Sequence, residues 1–196
     1  MSNFEFFFSL FGLLFGFVLV EVLSGFVRTI KARKLSPEAK ERRISVGWLT
    51  PLLALFVLLD ISSYWSNLWD VRDRVPVGFD TIFGLLFITG VYYLAASLVF
   101  PDDAENWPHL DAWFWLHRRY VLGCILVVNL IWIPTWKLLQ PGGVRLLDAT
   151  QLFYFAALLI AMVSKKPLLV GGGLAWISLV YFGLGVASLI SHLSGG

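Results

Sequence analysis

The stretch LLALFVLLDISSYW, residues 52–65, is apolar enough for the interior of a bilayer, yet it carries an aspartate, Asp60, beyond its middle. A charged group near the centre of a bilayer costs on the order of 2.5–3.5 kcal/mol even on the lenient insertion scale. Asp60 therefore cannot face lipid as an anion, and its position implies a protein interior or a wet cavity. The fold and the function both turn on which of these surrounds it.

Working outward, the whole chain has the same apolar character. Of its 196 residues, 58% are hydrophobic and 14% charged, and the mean hydropathy is +0.78. A soluble domain carries about a quarter charged residues, so this chain lacks the polar surface to cover a water-facing globule. A net charge of +2 is too small to suggest nucleic-acid binding. The one cysteine, Cys124, excludes an internal disulfide. The N-terminal MSNFEFFFSLFGLLFGF has no basic residue before its apolar run and no small-residue cleavage site after it, so it reads as an uncleaved first span.

Apolar blocks fall at residues 4–30, 46–69, 81–100, 120–136, 147–163 and 168–192. The runs are continuous rather than alternating, and they approach or exceed the roughly 20 residues that cross a hydrocarbon core as helix. The fold class is thus an all-α membrane protein of six transmembrane helices, with residues 1–196 forming one polytopic domain. Pro134 weakens the fourth span, and the fifth is short unless it borrows residues 144–146. Gly171, Gly172 and Gly173 place the start of the sixth helix near Leu174.

Charge sets the expected orientation. Arg28 and the connection KARKLSPEAKERRIS carry seven basic residues, and Arg118, Arg119, Lys165 and Lys166 fall on the same side, making eleven. The opposite side has four: Arg72, Arg74, Lys137 and Arg145. The positive-inside rule then makes the first connection cytoplasmic and both termini non-cytoplasmic, in a bacterial-type cytoplasmic (inner) membrane. Trp65, Trp69, Trp132 and Trp136 fit the outer headgroup layer and Trp48 the inner one. Anionic lipid could be drawn to the basic connection, but topology already accounts for those charges.

Between the third and fourth spans lies PDDAENWPHLDAWFWLHRR. Leu110, Trp113, Phe114 and His117 recur at spacings of three and four, which predicts a short interfacial helix over residues 107–119 with Asp111 and Arg118 kept wet. His109 and His117 are eight apart and match no metal-ligand spacing, so neither metal nor cofactor is expected.

Two acids lie at membrane depth. Asp60 is roughly 13 Å below the outer boundary, and Glu21, in GFVLVEVLSGF, about 10 Å above the inner one. Asp60, Ser63, Tyr64 and Asn67 share one helix side toward the outer surface, while Glu21, Ser24, Gly25 and Arg28 share one toward the inner surface. The stripes read as half-channels opening on opposite sides. The acids are about 5–12 Å apart along the membrane normal, near enough for a relay through water, Tyr92 or Tyr93 in the third span, or Asn129 in the fourth. No lysine or arginine lies at the depth of Asp60, so a neutral acid is expected at rest. The competing reading makes Asp60 and Asn129 interhelical glue and Tyr92 and Tyr93 core.

Small residues at GxxxG-type spacing, Gly12 with Gly16, Ala157 with Ala161 and Gly183 with Ala187, predict helix contacts within the chain first and a subunit interface second. HExxH, GxSxG and P-loop motifs are absent, and no span holds a histidine except His192 at its end. The expected function is therefore non-enzymatic: a proton- or small-solute-conducting transporter or channel using the intramembrane carboxylates. The alternative is a non-transporting accessory or scaffold subunit of a larger membrane complex. A membrane enzyme using the acidic DDAEN segment ranks third. Expected partners are the lipid bilayer and a further copy of the chain or another membrane subunit.

Overall fold

The computed structural model describes residues 3–34, 45–107, 109–139 and 149–194. Six helices follow one another: α1 (Asn3–Lys34), α2 (Leu49–Asp70), α3 (Phe79–Ser97), α4 (Leu110–Leu139), α5 (Ala149–Val163) and α6 (Pro167–Ser194). Short 3-10 turns occupy Arg72–Arg74 and Ala104–Asn106. Among the described residues the rest is short irregular connections, with one isolated bridge between Ser45 and His109 and no strand. Most of the basic first connection, residues 144–146, Arg145 and the side chain of His192 lie outside the described parts.

Five helices, α1, α2, α3, α4 and α6, are long and apolar enough to cross a membrane. The fifth, α5, has 15 residues, about 22 Å of helix against a hydrocarbon core of about 30 Å. The polar residues are turned inward. Thr29, Thr50, Asp60, Thr89, Arg118, Asn129 and Ser178 are buried, while Phe17, Val20, Phe83, Leu94, Phe153, Trp176 and Phe182 are among many large apolar side chains on the outside. This inside-out distribution suits a solvent as apolar as lipid tails.

Two boundaries differ from those expected. The segment 107–119 is not a separate interfacial helix: α4 starts at Leu110 and runs on without a break. No proline or glycine separates Leu110 from Tyr120. The helix therefore propagates, and its face of Leu110 and Phe114 turns to the core. Arg118, expected to be wet, is 2% exposed, with its guanidinium carbon 4.1 Å from the Trp115 ring centroid. Helix α6 likewise begins at Pro167 and continues through Gly171–Gly173. Proline at the first helical position has its φ already set, and the Trp48 ring lies where a Cβ on Gly171 would stand.

Helix α2 packs against α1, α3, α4 and α6. At its N-terminal end Thr50 donates to the carbonyl of Leu110 (3.2 Å), and nearby Trp113 Nε1 donates to Leu98 O (3.0 Å) and Arg119 Nε to Met162 O (3.1 Å). At the opposite end Phe8 stacks on Trp65, with centroids 3.7 Å apart, and Arg74 donates to Leu139 O (2.6 Å). Successive helices therefore alternate in direction. Trp69 and Trp48 are exposed at opposite ends of α2, whereas Trp132 is buried edge-on to Tyr64.

The small-residue pairs divide. A Cβ on Gly12 would touch the Trp65 ring at 3.3 Å, and Ala161 is fully buried, whereas Gly16 and Gly183 have nothing within 4 Å. The closest packing along α1 falls instead at Gly25, where a Cβ would lie 2.7 Å from Phe100 Cβ. We expect Gly25→Ala to destabilise the protein by about 1–3 kcal/mol by forcing α1 off the Phe100 segment. Gly16→Ala should be neutral or slightly stabilising. Thermal unfolding of the two variants in detergent checks the contrast.

Candidate functional site

Asp60 lies in the centre of the bundle and is 2% exposed. The amphipathic pattern of α2 turns it inward together with Phe56, Val57 and Tyr64. Around it four other helices each present one donor. From α3, Tyr92 donates its hydroxyl to Oδ2 (2.8 Å). From α5 and α6, Tyr154 and Tyr181 both donate to Oδ1 (2.8 Å each). From α4, the Asn129 amide reaches Oδ2 (3.1 Å) and Oδ1 (3.3 Å) and also donates to Ile125 O (3.0 Å).

A carboxylate offers about four lone-pair positions, and this one receives five contacts. An ionised Asp60 accepts them all. A protonated Asp60 keeps the cluster only if one phenol turns round to accept, because the amide nitrogen of Asn129 can only donate. Among the described residues no lysine, arginine or histidine is paired with Asp60, so hydrogen-bond dipoles alone surround the acid.

The outer stripe has a definite character. The Tyr64 hydroxyl is buried without an acceptor, and so are the indole N–H groups of Trp132 and Trp136 on α4. The Tyr64 and Trp132 rings meet edge-on at 4.5 Å. Asn67, a turn beyond Tyr64, is half-buried. Buried donors without a partner among the described residues are rare in folded proteins.

The inner stripe is different. Glu21 accepts from Arg28 (3.2 Å), and Arg28 also reaches Asp102 (3.4 Å). Gly25, between them, is covered by the Phe100 ring. This stripe is a contact between α1 and the segment that follows α3, tied by an ion-pair network, and the expected inward half-channel is not formed along it. No hydrogen bond described joins Glu21 to the Asp60 cluster. Of the candidate relay residues, Tyr92 and Asn129 meet Asp60, while Tyr93 points outward at 45% exposure.

No family model matches the sequence, and no curated protein or solved structure matches it either. The functional reading rests on this geometry.

Tyr154 and Tyr181 were not among the residues singled out from sequence. The signal was present: the chain has six tyrosines, and both of these stand mid-run in apolar segments, QLFYFAAL and ISLVYFGL, where a phenol needs a polar partner.

Proposed function

We propose that the chain is a six-span, non-enzymatic membrane protein that conducts protons or a small solute, with Asp60 as its protonatable site. The single observation that carries this reading is the buried carboxyl without a cation, held by one donor from each of α3, α4, α5 and α6. Gain or loss of one proton at Asp60 changes the number of acceptors available to four helices at once. Proton binding would in this way be coupled to helix packing, as transport requires. The unpartnered donors of Tyr64, Trp132 and Trp136 support access from the end of α2 that carries Trp69. Glu21, engaged by Arg28, has no part in this route.

Orientation belongs to the same proposal: basic first connection cytoplasmic, both termini non-cytoplasmic, and α5 completing the sixth span, in a bacterial-type inner membrane. In a background lacking Cys124, Ser2→Cys and Ser36→Cys should be labelled by an impermeant thiol reagent from opposite sides. Labelling of both from one side would remove the six-span arrangement.

A second reading, a non-transporting accessory subunit, is favoured by two observations. The chain's own donors fill every acceptor position of Asp60, as a structural tie would. The outward strip of α6 around Gly183 and Ala187 is also open enough for close approach by another subunit's helix. Flux in liposomes separates the two. The wild-type chain should dissipate an imposed pH gradient and Asp60→Asn should not, because an amide cannot exchange the proton. A folded wild-type chain that moves neither protons nor small solutes would leave the accessory reading.

A further inference from the structure

At the end of the bundle that carries the basic connection, a cavity of about 380 Å³ opens between the last turns of α1 and the turn before α4. Ligand-binding clefts occupy about 300–1,000 Å³, so the volume suits a small polar group. Its walls have opposite charge. Arg28 and Lys31 stand on the α1 side, and Asp102, Asp103 and Glu105 on the other. Arg28 spends one terminal nitrogen on Glu21 and Asp102, and its side chain stays partly exposed. The cavity therefore has a cationic wall opposite an anionic wall with acceptors to spare.

An exposed apolar track leads away from it. Leu13, Phe17, Val20 and Val27 are 45–62% exposed. With Ser24 they lie at alternating spacings of four and three, ending at Lys31. They form one straight stripe up the outside of α1, with the charged cavity at its foot.

We propose that this cavity and stripe bind a membrane phospholipid with a zwitterionic, primary-amine headgroup of the phosphoethanolamine class. The phosphate would meet the exposed part of the Arg28 guanidinium and Lys31. The ammonium would donate to the carboxylates of Asp102, Asp103 and Glu105, and one acyl chain would lie along the α1 stripe. Each excluded class fails on one wall. An anionic glycerol-type headgroup brings its charge toward three carboxylates and leaves them unpaired. A choline headgroup has no N–H to donate to them, and quaternary ammonium groups are recognised by aromatic cages, whereas the lining among the described residues is aspartate, glutamate, asparagine and alanine opposite two bases.

The test is native mass spectrometry of the full-length protein in detergent, titrated separately with dioleoyl phosphatidylethanolamine, phosphatidylcholine and phosphatidylglycerol. The ethanolamine lipid should be retained about tenfold more tightly than either of the others, the size expected from one or two charge-assisted hydrogen bonds. Asp103→Asn with Glu105→Gln, both exposed and so harmless to folding, should abolish the preference over choline. Lys31→Gln should weaken all three lipids. Soluble glycerophosphoethanolamine should fail to compete, since it lacks the chain that covers the stripe. Equal retention of ethanolamine and choline lipids would overturn the proposal, as would tighter binding of phosphatidylglycerol or an undiminished preference in the double variant. Competition by the chain-free headgroup at concentrations matching the lipid would also overturn it, in favour of a soluble phosphoethanolamine site.

Discussion

Asp60→Leu is expected to destabilise the protein by about 2–7 kcal/mol, taking four interhelical partners at the ~0.6–1.7 kcal/mol found per such bond inside membranes. The side chain fits an apolar core, so the loss comes from the partners. Tyr92, Tyr154, Tyr181 and Asn129 would be left as buried donors on four helices with no common acceptor. Asp60→Asn should be far milder, since its carbonyl still accepts and its amide can donate to a phenol that turns round. Tyr154→Phe and Tyr181→Phe each remove one bond to the same oxygen and should cost about 0.5–1.5 kcal/mol apiece. Their double variant should be less than additive, because the freed Oδ1 positions are shared. Reversible unfolding in mixed micelles measures all of these. An Asp60→Leu protein as stable as wild type would mean that the cluster does not tie the helices.

Gly47→Ala should also be costly, by about 1.5–4 kcal/mol, as two effects add there. Gly47 has φ of +57°, the left-handed region that a side chain disfavours. A Cβ would also overlap the Asp111 carboxylate. That carboxylate stands at the N-terminal end of α2, where Trp48 offers no side-chain cap and a negative charge is favoured. Asp111 thus faces the α2 N-terminus from the neighbouring helix, and Gly47 is the space it occupies. Asp111→Ala should cost about 0.3–2 kcal/mol. The double variant should be less destabilised than the sum of the singles, because the overlap is gone. Strict additivity in thermal unfolding would show that the two residues do not share this contact.

The helices were legible because each is a continuous apolar run, and such runs must satisfy their backbone internally. Their ends were less so. Basic residues such as Arg118 suggested an end to the apolar segment, but nothing between Leu110 and Tyr120 breaks a helix, and Arg118 is buried over Trp115 rather than hydrated. The glycines at 171–173 suggested a late start for α6, yet a tryptophan from the α2 end fills the space they leave.

The site was half legible. Spacing within one helix identifies residues that share a face, so the link from Asp60 to Tyr64 and Asn67 could be read directly. It does not say which faces of separate helices meet. Tyr92 and Tyr93 were equal candidates, though adjacent residues point about 100° apart, and only Tyr92 turns inward. Tyr154 and Tyr181 lie far from Asp60 in the chain and reach it only through the packing of α5 on α6. Glu21, like Asp60, was an acid within an apolar span, but the Arg28 two turns away, visible in the sequence, governs its bonding.

In the proposed function Asp60, ringed by hydrogen-bond donors with no cation paired to it among the described residues, takes up and releases a proton while the bundle stays folded. Infrared difference spectra of the reconstituted protein, recorded between acidic and alkaline buffers, test it directly. A protonated-carboxyl band should titrate in the wild-type protein, shift in Tyr154→Phe, persist in Glu21→Gln and vanish in Asp60→Asn. A folded wild-type protein with the same carboxyl spectrum as Asp60→Asn at every pH would contradict it, leaving Asp60 as a structural tie alone.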